Sequence, residues 1–117
     1  MRKTLSITAL AALIARNPVH EDSRTAVGTL LRTALAAFAS SARADIVFFK
    51  SLYCFARDEG YPVKQQWFTT LPNPDQHLAV ELLNTPLAAQ TASVEDTARV
   101  TRHLETYLRI HTDILLD

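Results

Sequence analysis

Apolar residues recur at intervals of three and four over most of this chain, the spacing that places side chains on one face of an α-helix. The most regular segment has one apolar stripe of six residues: Val27, Leu30, Leu31, Ala34, Leu35 and Phe38. Asp22 or Ser23 can cap the start of this segment. The pattern therefore predicts a helix from about residue 23 to 40.

The next segment, DIVFFKSLYCFARDEG at residues 45–60, is apolar on nearly every side. Its length, and the presence of Gly60 where a helix would end, predict a helix rather than a strand. A helix without a wide polar face is usually central in its fold. We therefore expect other helices to pack around it, with a partner protein on one of its faces as the alternative.

Two later helices are predicted from their start signals. Asn73 is placed to cap the first of them, and Gln76 can reach back in a capping-box arrangement. This helix should end before Thr85, because the residue before Pro86 disfavours the helical conformation. Ser93 and Asp96 mark the start of the last helix. Seven residues form its apolar side: Val100, Leu104, Tyr107, Leu108, His111, Ile114 and Leu115.

Composition agrees with a helical fold. The 117 residues include only two glycines, too few for a turn-rich β-sandwich or a glycine-rich nucleotide-binding loop. The length corresponds to one domain that can bury a single core. We predict an all-α fold, a small single-domain bundle of about five helices spanning residues 1–117.

The N-terminal stretch MRKTLSITALAALIA has the basic start, apolar run and small residues of a secretory signal. It also fits a helix that ends at Asn17. Cleavage after Ala15 would place the large Leu13 where a small residue is preferred. We therefore predict that the segment is retained and that the protein is cytoplasmic, which also suits the single cysteine. The alternative is an exported helical protein with a cleaved signal; the apolar run is too short to span a bilayer.

Charged residues balance, with 12 basic and 12 acidic side chains, so no net field attracts nucleic acid or anionic lipid. On the last helix, Glu95 and Arg99 are four residues apart in the favourable order, as are Glu105 and Arg109. We expect these pairs to form a solvated outer face.

The four histidines do not form a metal-binding motif. His77 and Glu81 lie one helical turn apart, but HExxH and similar pairs are absent. His103 and His111 are separated by about 12 Å along a helix, too far to bind one ion. We predict no metal or other cofactor, with His77 solvated and His111 packed on the apolar stripe.

Candidate catalytic groups are similarly isolated. Cys54 lies between two aromatic residues on an apolar helix, which predicts a buried, unreactive thiol. Asp58 and Glu59 lie in the last turn of the same helix and are expected to be solvated. Because the chain also lacks a phosphate-binding loop and a GxSxG motif, we predict that it is not an enzyme.

The segment ARDEGYPVKQQW resembles part of a helix-turn-helix, a DNA-binding motif. Three residues carry the resemblance: Ala56, Gly60 and Val63. Gln66 and Thr69 then fall where the second helix needs inward apolar residues. Lys64 is the segment's one cation after the turn, whereas phosphate contacts require several. DNA binding by residues 56–71 is therefore an alternative, and we do not expect nucleic acid as a partner.

The same corner is a better candidate for protein binding. Trp67 and Phe68 are adjacent, so they point about 100° apart on a helix or to opposite faces of a strand. One should be core and the other near the surface, whether residues 62–71 are helical or extended. With Tyr61 and Lys64, they predict a contact with another protein or with a second copy of the chain.

In size and composition the chain is comparable to small helical inhibitors, immunity proteins and regulatory adaptors, which are often encoded on mobile elements. Its aromatic residues support this comparison, because Phe48 and Phe49 join Trp67 and Phe68 as candidates for exposure. We therefore predict a non-catalytic protein that binds another protein and makes no membrane contact.

Overall fold

The structure is a computed structural model that describes residues 29–30, 32–33, 36–37 and 43–114. Three α-helices have defined bounds, namely α1 (Ala44–Asp58), α2 (Asn73–Asn84) and α3 (Val94–His111). The described residues before residue 38 are also helical and form a fourth helix. The all-α prediction is confirmed, because the described part has no strand, although it holds four helices rather than about five. The predicted N-terminal helix or signal and most of the 23–40 segment lie outside the described residues.

Helix α1 occupies the centre of the core, as its apolar sequence predicted. Ile46, Phe49, Leu52 and Phe55 are fully buried, and the helix contacts α2, α3 and the segment that follows α1. Each such side chain contributes about 1.5–3 kcal/mol through burial. Phe49 was a predicted surface aromatic, and that prediction is wrong because its side of α1 faces the other helices. Phe48 is only partly buried against the same core.

Helix α1 ends at the predicted glycine. Gly60 has a φ of 93°, in the region that side chains with a Cβ avoid. Its N–H donates to the carbonyl of Arg57 at 3.0 Å, and the N–H of Tyr61 donates to the carbonyl of Ala56 at 3.1 Å. These two bonds make the Schellman motif, which satisfies carbonyls that the end of the helix leaves open.

The chain then turns through two short helical pieces, which we call the corner segment: a π turn at Val63–Trp67 and a 3₁₀ turn at Phe68–Thr70. Residues 62–71 are therefore largely helical rather than extended. In the π turn the N–H of Phe68 reaches the carbonyl of Val63, five residues back. The turn brings Trp67 into the core, where its ring centroid lies 6.2 Å from those of Phe49 and Tyr53.

Helix α2 starts one residue earlier than its sequence indicated. Asn73 is the first helical residue and makes no capping hydrogen bond, because Pro72 is the flanking residue. The predicted capping box is also wrong. The Gln76 amide instead donates to the carbonyls of Phe68 and Leu71 at 3.3 and 3.1 Å, since the end of the corner segment lies beside the first turn of α2. The predicted end is confirmed, with extended Thr85 following Asn84.

Helix α3 begins as predicted, with the Ser93 hydroxyl accepting a hydrogen bond from the Asp96 N–H at 3.0 Å. Its apolar side packs on α1 through four buried residues: Val100, Leu104, Tyr107 and Leu108. Arg43 connects the starts of the two helices, donating to the Ala92 carbonyl at 2.7 Å and pairing with Asp45 at 2.9 Å. None of the described helices combines the length and apolar character needed to cross a membrane.

Candidate functional site

A groove of about 920 Å³ lies between the corner segment and α3. Three corner residues line one side: Gln66, Trp67 and Thr70. Seven residues of α3 line the other: Arg99, Arg102, His103, Thr106, Tyr107, Ile110 and His111. The α3 residues recur at intervals of three and four, so they share one face of the helix. We call this site the α3 groove.

Helix α3 has two neighbouring stripes of residues, one of which packs in the core and the other of which faces the groove. Val100, Leu104 and Leu108 are fully buried in the core, while the stripe beside them faces the groove. Tyr107 belongs to both stripes, because its side chain is largely buried and its hydroxyl donates to Gln66 Oε1 at 2.9 Å. Burial raises the pKa of Tyr107, so the hydroxyl stays protonated and can donate this bond at neutral pH. The bond joins α3 to the corner segment.

One end of the groove is organised by Arg99. Its guanidinium pairs with Asp75 and with Asp96, each at 2.8 Å, and the Asp75 side chain is only 8% exposed. Hydrogen bonds to Asp75 and then Asp96 raise the pKa of Arg99, so this residue stays charged. His103 Nε2 lies 3.8 Å from Asp75, too long for a hydrogen bond. The predicted partner, Glu95, is replaced because the carboxylate of Asp75 is buried beside Arg99 by the packing of α2 on α3.

The rest of the groove face exposes apolar and basic side chains. Ile110 is 67% exposed, the most exposed large apolar residue in the described part of the chain. Arg102 is exposed and forms no ion pair with a described residue. His111 is also exposed, with its ring centroid 5.2 Å from that of Tyr107. Its predicted place in the core is wrong because α3 ends at His111, and Ile114 closes the core beyond it.

The groove combines side-chain hydrogen-bond donors with exposed apolar surface, a combination suited to binding. The guanidinium groups, the imidazoles and the hydroxyl of Thr106 can donate hydrogen bonds, while Ile110 can pack against an apolar side chain. No group of three or more His, Cys, Asp or Glu side chains among the described residues is arranged to hold a metal ion. His77 is exposed on α2, as predicted.

The four residues predicted to bind protein occupy different environments. Trp67 is 1% exposed and lines the groove, whereas Phe68 is half-buried at the corner. One aromatic is thus core and the other is nearer the surface, as expected for adjacent residues. Tyr61 is half-buried, and its hydroxyl accepts a hydrogen bond from the Asp113 N–H at 3.2 Å. Lys64 is exposed, and of the four only Trp67 lines the α3 groove.

The polar residues of the groove were missed from the sequence. Arg99 was assigned to a solvated outer face, and Arg102, His103 and Thr106 were assigned to no binding site, since helical spacing alone does not identify a neighbouring wall. Ile110 carried a usable signal, because an apolar residue on the polar side of a helix marks a surface that differs from its surroundings.

The candidate catalytic groups on α1 lie apart from the groove lining. Cys54 is half-buried rather than fully buried, and burial raises the pKa of its thiol. Asp58 is partly buried and pairs with its neighbour Arg57 at 3.1 Å. Glu59 is also partly buried. These two acids are therefore less exposed than the sequence predicted.

The corner segment differs from the second helix of a helix-turn-helix. It consists of a five-residue π turn followed by a three-residue 3₁₀ turn, rather than one continuous α-helix. The side-chain oxygen of Gln66 accepts a hydrogen bond from the Tyr107 hydroxyl, so this part of the side chain is engaged within the fold. Both features argue against DNA binding by this segment.

Comparison with protein-family models, curated protein sequences and solved structures finds no match for this chain. The functional argument therefore depends on the geometry of the α3 groove.

Proposed function

We propose that this protein is a small, non-catalytic binding protein that contacts another protein through the α3 groove. The exposure of Ile110 in a groove that also contains two arginines carries the proposal, because covering a large exposed apolar side chain with a partner is energetically favourable. Arginine and aromatic residues are enriched at the centres of protein interfaces. Tyr107 and Trp67 form the base of this surface, and their positions are fixed because both are buried in the core.

The polar chemistry of the groove favours binding over catalysis. Arg99 is already paired with two carboxylates, and the Tyr107 hydroxyl is already bonded to Gln66. Such fixed contacts hold a binding surface in one shape, which reduces the ordering cost of association.

We propose that the protein acts in the cytoplasm as an inhibitor, immunity protein or regulatory adaptor. The single cysteine supports this setting. The corner residues Tyr61, Lys64 and Phe68 form a second contact area in this proposal. A second copy of the chain is the alternative partner.

Site-specific photocrosslinking in the native cell tests the proposal. A benzophenone amino acid replaces Thr106, which is exposed in the groove, or Val80, which is exposed on α2 outside the groove. We expect a discrete adduct from position 106 and none from position 80. An adduct with twice the chain mass would identify a second copy as the partner.

Two further variants establish whether the adduct depends on the groove. Ile110→Ala should reduce the adduct yield, while Val94→Ala, an apolar truncation at another exposed position of α3, should leave it unchanged. Both residues are exposed, so each change should alter stability by no more than about 0.5 kcal/mol. Equal crosslinking from positions 106 and 80, or none from either, would contradict the proposed function.

A further inference from the structure

We infer that the partner enters the α3 groove with a short acidic segment that also carries one apolar side chain. This inference rests on the proposed function and adds the chemistry of the partner. Arg102 would receive a carboxylate of the segment, and Ile110 would contact its apolar side chain. Both residues are exposed and lie on the groove face of α3.

The charge of the groove differs from that of the whole chain. The sequence has equal numbers of basic and acidic residues, yet none of the described residues that line the groove is Asp or Glu. The lining instead includes two arginines and two histidines. A surface with this bias complements an acidic partner and disfavours a basic one.

Arg102 is the cation available to a partner. Arg99 directs its guanidinium nitrogens at Asp75 and Asp96, so its charge is largely compensated within the fold. Arg102 has no such partner among the described residues. A guanidinium group can accommodate both oxygens of a carboxylate at once, which makes this the preferred contact for Glu or Asp.

The length of the groove face limits the size of the segment. The lining residues of α3 extend from Arg99 to His111, twelve steps along the helix. At about 1.5 Å per residue this face is about 18 Å long. An extended chain covers that distance with about five or six residues. A short segment of a partner therefore fills the groove.

Nucleic acid fits the same surface less well. One uncompensated arginine provides too few phosphate contacts for useful affinity at physiological salt. Tyr107 is buried, so its ring cannot act as a platform for stacked bases, and Ile110 offers no hydrogen bond to a base or phosphate. Protein carboxylates beside an apolar side chain match the groove better.

Titration of the full, isotope-labelled chain by NMR tests the inference with defined probes. The first probe is a capped peptide of sequence Glu-Glu-Leu-Glu-Glu, and its control has glutamine in place of every glutamate. We expect the acidic peptide to shift the amide signals of Arg102, Thr106 and Ile110, and to bind at least about fivefold more tightly than the control. A single-stranded oligothymidine should leave these signals unchanged.

Matched variants then assign the contacts. Arg102→Gln should weaken binding of the acidic peptide by about fivefold to tenfold, and Ile110→Ala by a similar factor. Arg109→Gln removes the same charge from α3 at a position that does not line the groove, so it should change affinity by less than about twofold. The amide spectrum of each variant checks that the fold is retained.

Three results would overturn the inference: equal binding of the two peptides or of neither, equal effects of the two arginine variants, or a preference of the groove for the oligonucleotide. These failures differ from failure of the proposed function. If position 106 crosslinks a protein partner while the acidic peptide does not bind, the binding function stands and the acidic partner is rejected. If position 106 yields no adduct, the proposed function fails irrespective of the peptide result.

Discussion

Cys54 shows at the scale of one residue how the fold modifies a side chain's chemistry. Burial raises the pKa of its thiol above the ordinary value of 9.0, and Arg57 opposes the shift only in part. Because the thiolate is the reactive form, we expect folded protein to react with iodoacetamide more slowly than protein in urea at the same pH. When the alkylation rate is plotted against pH, its increase should occur at a higher pH for the folded protein than for the unfolded protein.

The same shift has a consequence for stability. The folded state holds the Cys54 proton more tightly than the unfolded state, so this contribution to stability is fully present below pH 9.0. It is lost as the pH rises through the higher pKa of the folded state.

In the alkylation experiment, Cys54→Ala serves as the control for labelling at other sites. Coincident rate profiles for folded and unfolded protein would show that the thiol is not shielded.

At the scale of the secondary-structure elements, a substitution at Gly60 tests the effect of backbone conformation separately from the effect of space. A Cβ at this residue would meet no atom within 4 Å, so space does not exclude a side chain. The φ of 93° does disfavour one. We expect Gly60→Ala to lower the free energy of unfolding by about 1–2 kcal/mol, as measured by urea denaturation.

Asparagine at the same position provides a matched comparison. It tolerates positive φ better than alanine does, because its side chain can form local hydrogen bonds. Gly60→Asn should therefore lower the free energy of unfolding by less than Gly60→Ala does. If alanine is accepted without loss, the Schellman motif does not depend on glycine, and the end of α1 is held by the packing of Tyr61 and the corner segment instead.

At the scale of the whole molecule, the stability of the fold depends strongly on Trp67, the single tryptophan of the chain. Its ring contacts two aromatic residues of α1, while its neighbour Phe68 is only half-buried. We expect Trp67→Ala to destabilise the fold by about 3–5 kcal/mol. That is a large fraction of the stability of a domain of this size. Phe68→Ala should cost less than half as much, as measured by thermal unfolding followed by circular dichroism.

Fluorescence of Trp67 provides a second measurement on the unsubstituted protein. Since the indole lies in the shared core, its emission should shift to longer wavelength at the temperature where helical ellipticity is lost. Separate transitions would show that the corner segment opens before the helices. Equal destabilisation by the two alanine substitutions would contradict the division between core and surface.

Local signals in the sequence were sufficient for the helices and several of their ends. Gly60, Ser93 and Thr85 act through hydrogen bonds or backbone conformations within a few residues, so their effects can be predicted without knowledge of the fold. The spacing of apolar residues in α3 likewise identified that helix and most of its buried face, whereas α1 was identified by the length of its apolar segment and the glycine at its end. Asn73 failed as a cap because Pro72 and the adjoining corner segment set the start of α2.

Only the tertiary structure decided which of Trp67 and Phe68 lies in the core. Their spacing requires them to point in different directions, but the direction that is buried depends on where α1 lies. The partner of Arg99 was decided in the same way, since Asp75 is 24 residues away and reaches it only when α2 packs on α3. Sequence spacing favoured the local partner, Glu95, because it contains no information on distant carboxylates.

The α3 groove is the feature that the sequence could least predict. Its walls come from Gln66–Thr70 and Arg99–His111, segments about thirty residues apart in the chain, and neither wall forms a concave surface alone. The sequence by itself determined the amphipathic helix that supplies one wall, because that property depends on residue spacing. The packing of the core determined the groove, because burial of Trp67 and the bond from Tyr107 to Gln66 place the corner segment beside α3.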